Sequence, residues 1–370
     1  MKVGFINNPQ SSSGLGPHIA QALSGKGCDP VWIHPLGSRW RKLLPVLRSL
    51  RWNRDAMWKA RWEEMVFSSR AWDRTSIYVG ARIDALDLGD APIFMVGKEY
   101  FPHPNFRDMN VHVFIHHNMR LALADGVTPW LPPRFDIPRY LERETALYQH
   151  ARTVFVGAGY VRDSLVHDYG VAADRVVVAG GGPHPFFEQH RIASEDIPER
   201  FTGQLLFVGW DFGMKGGKDV LAAFQQIHDQ RPDLRLVIAG PDRSQWREQA
   251  GVTWLGAVAS KEELLRLYRQ SDLLLMPSLR DSFGFVFLEA MSQGVPCLGS
   301  NINAMPEIIQ HGRTGYTVPL RNPPALAETV LAYYHDERNR RRMGIAARDR
   351  VISTYTWDRV AGLVVSRLHC

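Results

Sequence analysis

Short apolar runs alternate with helical patterns along most of the chain. In the first half these runs are almost continuously hydrophobic, and they are the candidate strands Lys2–Asn7, Val31–Ile33, Ile93–Val96, Val111–His116, Thr153–Val156 and Val176–Ala179. Apolar residues at helical spacing between them predict helices over Gly16–Gly25, Pro138–His150 and Gly159–Asp168. Because strands that are apolar on both faces are typical of parallel sheets covered by helices, the first half predicts a doubly wound α/β domain.

A glycine- and proline-rich break interrupts the alternation at Gly180–Pro185, and polar residues extend it, so we expect a linker over residues 184–200. The alternation then resumes. The candidate strands are Leu205–Gly209, Leu234–Ala239, Val252–Leu255, Leu273–Met276 and Val295–Gly299, and the candidate helices are Lys218–Gln230, Lys261–Gln270, Phe285–Ser292, Met305–Gln310 and Ala325–His335. The pattern predicts Rossmann-like domains over 1–183 and 201–354 that face a central cleft. A C-terminal helix, 355–370, either ends the second domain or returns to the first.

The charge of the chain is concentrated in one segment. Residues 39–74 hold ten Lys/Arg and four Asp/Glu, a difference equal to the +6 of the whole chain, together with five of its eleven tryptophans. A basic, tryptophan-rich helical face suits an anionic partner such as a membrane surface or a phosphorylated acceptor. A solvated basic face whose tryptophans turn inward explains the composition equally well. Both interpretations of Arg39–Arg74 stay open.

The remaining composition excludes several classes of protein. Three widely spaced cysteines, Cys28, Cys297 and Cys370, form neither a disulfide framework nor a zinc motif. No apolar stretch reaches the roughly 20 residues of a membrane span, and the N-terminus lacks a signal-peptide pattern. We therefore expect a cytoplasmic protein, with peripheral binding to the inner face of a membrane if the basic segment acts there.

The most informative segment runs from Pro277 to Met291 and joins a buried strand to a helix. Its glycine, Gly284, lets the backbone approach a ligand closely, and the start of the helix favours a phosphate. Glu289 lies one turn into that helix, where its carboxylate can accept two hydrogen bonds from a ribose diol. Asp281 precedes the turn, near the place where a sugar would project from the phosphate. A surface position for Glu289 is the weaker interpretation, since its neighbours in sequence are apolar.

This segment resembles the retaining glycosyltransferases of family 4, which have the two-domain GT-B fold. The family pattern is an acidic residue, seven residues and a glutamate, and Asp281 and Glu289 have that spacing, although the first acid of the family is usually Glu. The similarity continues through Gly294-Val295-Pro296 and Pro306-Glu307-Ile308-Ile309 and covers about half of the chain. The resemblance implies a nucleotide-sugar donor and retention of anomeric configuration. No metal or other cofactor is expected, because the chain has no Asp-x-Asp motif.

A second motif, Phe207–Gly217, is a strand end followed by a glycine-rich loop with one lysine. Lysine supplies a point charge for a diphosphate, and the resemblance gives this role to Lys215 rather than to Lys218. Family members often carry an arginine where this chain has Trp210. By the same resemblance, residues 240–243 lie beside the nucleotide and the backbone at 256–258 meets the base. The expected donor-binding residues are Gly14, Gly16, Gly213, Asp242, Arg243, Val258, Ser282, Phe283, Gly284 and Phe285.

In the first half, two features carry candidate chemistry. The loop Pro9–Gly16 leads into a helix, and the resemblance sets it against donor phosphate and acceptor; dinucleotide binding is disfavoured because Ile19 replaces the third glycine. His116 closes a strand, and similar enzymes carry a histidine there near the transferred sugar. A zinc site is disfavoured, since no third ligand has suitable spacing and no Asp-x-Asp motif occurs.

The sequence thus predicts a retaining glycosyltransferase with His116, Lys215, Asp281 and Glu289 as its catalytic residues. The acceptor is a carbohydrate, a lipid-linked compound or another hydroxyl compound, and nucleic acid is not expected as a partner. Two alternatives remain: a catalytically weak nucleotide-sugar-binding protein, favoured by Trp210 and Asp281, and a nucleotide-sugar epimerase of the same fold.

Overall fold

The chain forms two compact units, each built on a parallel six-stranded sheet. The computed structural model describes residues 1–7, 15–34, 69–98, 100–126, 131, 135–240 and 248–368. The first unit comprises Met1–Ala179 together with Trp357–Cys370, and the second comprises Gly180–Thr356.

The first unit is a doubly wound α/β domain. Its strands are β1 (Lys2–Asn7), β2 (Asp29–Ile33), β3 (Ile93–Val96), β4 (Val111–Ile115), β5 (Thr153–Val156) and β6 (Val176–Val178). Its helices are α1 (Leu15–Gly25), α2 (Ser69–Asp84), α3 (Met119–Ala124), α4 (Ile137–His150) and α5 (Gly159–Tyr169), with short 3-10 turns at Phe106–Asp108 and Ala173–Arg175. The sheet has the order β2-β1-β3-β4-β5-β6, and all its pairs are parallel.

The second unit repeats this architecture. Its strands are β7 (Gln204–Val208), β8 (Arg235–Ala239), β9 (Val252–Gly256), β10 (Leu273–Met276), β11 (Cys297–Ser300) and β12 (Gly315–Val318). Its helices are α6 (Pro185–Gln189), α7 (Gly217–Gln230), α8 (Lys261–Arg269), α9 (Phe285–Ser292), α10 (Met305–Ile308), α11 (Pro323–His335) and α12 (Asn339–Thr354). The order β12-β11-β10-β7-β8-β9 reverses between β10 and β7. Ligands of open parallel sheets bind at such a reversal, outside the carboxyl ends of the strands.

Burial follows position in each sheet. The inner strands β3, β4, β5, β10 and β11 are buried at every residue, whereas the edge strand β9 alternates between partly buried and exposed residues. Helices cover both faces of an inner parallel strand, so its side chains have no solvent face. The predicted class, two doubly wound α/β domains, is confirmed.

Several predicted boundaries need correction. Strand β4 ends at Ile115, so His116 lies just beyond the strand. The residues predicted as a linker, 184–200, begin with helix α6 and lie in the second unit. Strand β12 and helix α12 were not predicted. The buried face of helix α12 combines apolar residues such as Met343 and Val351 with Arg340, whose guanidinium Nε lies 3.3 Å from Asp272 Oδ1 in a fully buried pair.

The last helix of the described chain, α13 (Trp357–Leu368), belongs to the first unit. Lys26 and Asp358 form an ion pair of 2.7 Å, and the rings of His18 and Trp357 lie 5.6 Å apart. The chain therefore enters the second unit at Gly180 and leaves it after Thr356. Among the helices that the structure describes, none has both the length and the apolar character that crossing a membrane requires.

Candidate active site

Lys215 and Asp281 meet at the reversal point of the second sheet. Lys215 follows β7 and Asp281 follows β10, the two neighbouring strands at which the strand order reverses. Lys215 Nζ lies 2.5 Å from Asp281 Oδ2, and both side chains are partly buried. The predicted diphosphate cation and the predicted sugar contact thus form an ion pair with each other.

The loop that carries Lys215 is shaped by its own hydrogen bonds and by one glycine. Asp211 accepts a hydrogen bond from Met214 N at 3.0 Å on its carboxylate, and one from Lys215 N at 2.8 Å on its carbonyl. Gly216 has φ of 76°, and a Cβ there would lie 2.1 Å from the carbonyl oxygen of Pro277. Glycine is therefore required where this loop presses against the segment that holds Asp281. At Gly213, by contrast, an added Cβ would meet nothing closer than 3.8 Å.

The segment after β10 makes a turn that fixes the Asp281 side chain. Asp281 Oδ1 accepts a hydrogen bond from Phe283 N at 3.2 Å, and Gly284, at φ of 82°, precedes the first residue of α9. A Cβ at Gly284 would lie 2.6 Å from the Phe287 ring, so the turn and the helix pack only with glycine at this position. Asp281 thus lies four residues before the helix, and its carboxylate accepts a backbone N–H bond from the turn that leads into that helix.

Glu289 is a partly buried carboxylate on α9. Tyr268, on α8, donates a hydrogen bond of 3.1 Å to its Oε2. Burial raises the pKa of Glu289 to about 7, against smaller opposing effects of the Tyr268 hydrogen bond and the positive charge of Lys261. Within the described residues Oε1 accepts no hydrogen bond, so one oxygen of this carboxylate remains for an incoming donor.

Glycine backbone forms the remaining carboxyl edge of this sheet. Gly209 follows β7, Gly240 follows β8, and Gly256 is the last residue of β9. Gly240 N donates a hydrogen bond of 2.7 Å to Gly256 O. A Cβ at Gly240 would lie 2.4 Å from the Gly209 carbonyl oxygen. Val258 follows this edge and is partly buried. The predicted contacts Asp242 and Arg243 lie outside the described residues.

In the first unit, His116 directly follows β4 as a neutral imidazole. Burial, with a smaller contribution from His117, lowers the pKa of His116 to about 3. Its ring meets Phe114 edge-on at 5.1 Å, and both ring nitrogens are shielded from solvent. His112, on the same strand, is a core histidine whose pKa burial lowers to about 4. At neutral pH this imidazole therefore carries no charge.

A buried polar network, which the sequence did not reveal, holds the chain after His116 in position. Glu144, on α4, is fully buried and accepts hydrogen bonds from Met119 N at 3.1 Å and from the hydroxyls of Tyr148 and Tyr169. Lys98 Nζ completes its partners at 2.8 Å. Glu144 lies on the buried face of α4 with Tyr140 and Leu147. Its helical spacing from these residues was the one sequence feature that could have predicted its burial.

His117 is anchored separately. The Tyr160 hydroxyl lies 3.3 Å from its Nδ1, and Asp125 Oδ2 lies 3.3 Å from its Nε2. Asn118 caps α3 by accepting a hydrogen bond from Leu121 N at 2.9 Å. These contacts fix the backbone on the far side of His116. The imidazole of His116 is therefore carried by a rigid strand end.

The remaining predicted positions of the first unit are only partly described. Gly16 opens α1, and a Cβ there would lie 2.2 Å from Asn7 Cγ, so this glycine is required for packing. Gly14 and most of the loop 9–16 lie outside the described residues, as do residues 39–68 of the basic segment. Trp72, in the described part of that segment, is 2% exposed and packs edge-on against Phe101 and Tyr140. At this one tryptophan the inward-facing interpretation is confirmed.

The residues at the reversal point fall within a recognised family pattern. The family model described as glycosyl transferases group 1 matches residues 193–350, which include Lys215, Asp281 and Glu289. The second unit of the chain therefore carries the sequence pattern of the group 1 glycosyl transferases. His116 lies outside the matched range.

Curated relatives share this region. N-acetyl-alpha-D-glucosaminyl L-malate synthase of Bacillus anthracis is 38% identical over 155 residues, which cover 40% of each chain. D-inositol 3-phosphate glycosyltransferase of Paenarthrobacter aurescens is 30% identical over 264 residues, 66% of this chain and 62% of that protein. The matches thus span about half the length of these relatives.

Solved structures extend the likeness to the whole fold. A glycosyltransferase from Rickettsia africae has a TM-score of 0.69 at 15% identity, with 99% of this chain and 97% of that chain covered. Anabaena Alr3699/HepE in complex with UDP has a TM-score of 0.70 at 13% identity, with both chains fully covered. The predicted GT-B fold, with two Rossmann-like domains, is confirmed.

Proposed function

We propose that this protein transfers a sugar from a nucleoside diphosphate donor to a hydroxyl acceptor, with retention of anomeric configuration. One observation carries the proposal: the Lys215–Asp281 pair of 2.5 Å lies at the strand reversal, a few residues before the start of α9, and Glu289 lies on that same helix. The cation and the helix start suit the negative charge of a diphosphate, and the carboxylate suits the hydroxyl groups of a ribose. All three groups lie at one sheet edge.

Each residue has a distinct role in the proposed reaction. The donor diphosphate takes over Lys215 as its cation, and the ammonium then stabilises the charge that develops on the leaving group. Glu289 accepts hydrogen bonds from the ribose diol through Oε1 and Oε2. Asp281, released from Lys215, contacts the transferred sugar.

The proposed chemistry needs no protein nucleophile. The bond between sugar C1 and the phosphate oxygen breaks, the acceptor oxygen bonds to C1 on the same face, and the acceptor proton passes to the departing phosphate oxygen. In this scheme the protein contributes charge stabilisation and orientation. No metal enters it, and among the described residues no group of three His, Cys, Asp or Glu side chains could hold one.

The names of similar proteins support a choice of first substrates. The Anabaena protein HepE was solved with UDP and with UDP-glucose, which makes a UDP-sugar the donor to try first. The relatives named for L-malate and D-inositol 3-phosphate suggest small anionic hydroxyl compounds as acceptors. Carbohydrates and lipid-linked compounds complete the proposed acceptor set, and the latter would put the protein at the inner face of a membrane.

A donor-hydrolysis assay tests the proposal. With UDP-glucose and UDP-N-acetylglucosamine and no acceptor, we expect slow release of UDP and free sugar, whose anomer NMR identifies at early times. Lys215→Ala should abolish this release, whereas Lys218→Ala, the matched control on the exposed first turn of α7, should retain it. Conversion of the donor to an epimer supports an epimerase instead, and UDP binding without turnover of any donor supports a binding protein.

A further inference from the structure

Asn303 has an unusual backbone conformation for its position. Three described residues other than glycine have positive φ: Asp87 at 43°, Asn303 at 50° and Arg321 at 52°. Asp87 and Arg321 are exposed, whereas Asn303 is partly buried in the loop between β11 and α10. Glycine adopts this left-handed conformation at the lowest cost, and asparagine tolerates it better than most residues. The left-handed conformation alone therefore does not explain why asparagine rather than glycine occupies this position.

The amide of Asn303 reaches the segment that carries Asp281. Its Nδ2 donates a hydrogen bond of 3.2 Å to the carbonyl oxygen of Asp281, 22 residues earlier in the chain. Asparagine side chains in turns usually bond to backbone about two residues away. This contact instead ties the loop after β11 to the segment after β10, and the two strands are neighbours in the sheet.

Backbone hydrogen bonds also anchor this loop on both sides of Asn303. Asn301 N donates a hydrogen bond of 2.9 Å to Val318 O, and Met305 N donates one of 3.1 Å to Ile302 O. These backbone bonds lie on both sides of Asn303 and anchor it between β12 and α10. A strained residue in an already anchored loop beside a candidate site points to a role in that site.

We infer that Asn303 is a positioning residue, which holds the Asp281 peptide so that its carboxylate meets Lys215. This inference rests on the proposed function. Asp281 has its carbonyl fixed by Asn303, its Oδ1 by Phe283 N and its Oδ2 by Lys215. Loss of the first contact frees the peptide to rotate, and the carboxylate then moves relative to the ammonium and the transferred sugar.

The test uses Asn303→Gly, which keeps the positive φ and removes the side chain together with its hydrogen bond to the Asp281 carbonyl. Loss of one neutral hydrogen bond corresponds to a fall in kcat of about two- to tenfold. The midpoint of thermal unfolding should not fall, because glycine relieves the backbone conformation. Arg321→Gly is the matched control, since it makes the same change at a positive φ in the same unit and should leave kcat unchanged.

A double-mutant cycle separates positioning from a structural effect. In an Asp281→Asn background, Asn303→Gly should change kcat less than about twofold, because residues that act through one another are not additive. Wild-type kcat in Asn303→Gly, or an undiminished effect in the Asp281→Asn background, overturns the inference. A wild-type protein that neither binds UDP nor turns over a UDP-sugar overturns the proposed function itself.

Discussion

Glu289 offers the sharpest test of the donor site, because one isosteric change alters charge without altering shape. The donor-free carboxylate has a pKa of about 7 and accepts one hydrogen bond, from Tyr268. In the proposed complex it accepts two more from the ribose, each worth about 1.5–3 kcal/mol for a charged acceptor. Glu289→Gln keeps part of this interaction, so we expect a loss of about 2–4 kcal/mol of transition-state binding. That loss lowers kcat/KM by two to three orders of magnitude.

The same carboxylate predicts a pH dependence with a definite sign. Between its ordinary pKa of 4.5 and about 7, Glu289 stays protonated in the folded protein and ionises in the unfolded chain. The unfolded chain therefore binds fewer protons, and this group lowers stability as pH rises through that window. The loss reaches at most about 3 kcal/mol at 1.36 kcal/mol per pKa unit, less the screening at a partly exposed group. Above pH 7, Glu289→Gln should unfold at a higher temperature than the wild type.

Two measurements on one pair of proteins check this reasoning. Donor kcat/KM of the wild type should rise with pH and level off above about 7, as the carboxylate ionises, while the glutamine variant should lack this rise. Thermal unfolding, followed at pH 5 and pH 8, should show the variant gaining stability only at the higher pH. Tyr268→Phe removes the internal hydrogen bond, which lowers the pKa of Glu289, so this variant should keep the rise of kcat/KM with pH but shift it to higher pH. Wild-type kcat/KM in Glu289→Gln refutes the ribose assignment.

Three further predictions concern the cation, the metal and the membrane. Lys215→Ala should lower kcat more than UDP affinity, since its charge matters most as the diphosphate leaves; if Lys218→Ala has the larger effect, Lys215 is the wrong cation. Activity should survive EDTA, and a full loss that magnesium or manganese restores contradicts the metal-free scheme. Binding to anionic liposomes should weaken with salt and with glutamate at Arg48, Arg51 and Arg54, because each base adds about 1 kcal/mol near the surface. A wild type that ignores such liposomes at low salt ends the membrane hypothesis.

Local pattern was a good guide wherever apolar residues filled an element. The sequence predicted strand β10 (Leu273–Met276) and helix α9 (Phe285–Ser292) with the bounds that the structure has. A buried parallel strand is a continuous apolar run, and a glycine before a helix marks the turn. Helix α12 was not predicted, because apolar residues do not fill its buried face. Its buried face includes Arg340, and a charged residue is buried only when a distant partner, here Asp272, neutralises it.

The sequence by itself determined the α/β class, the family pattern and the chemical types in the donor segment, because each of these depends on residues close together in the chain. Tertiary structure alone decided which groups meet. Lys215 and Asp281 are 66 residues apart, and they form a pair because the order of the strands sets β7 beside β10. The tertiary structure also buries Glu289, which raises its pKa, and buries Glu144, which pairs with Lys98. Strand order and desolvation depend on the whole chain at once, and no local pattern contains them.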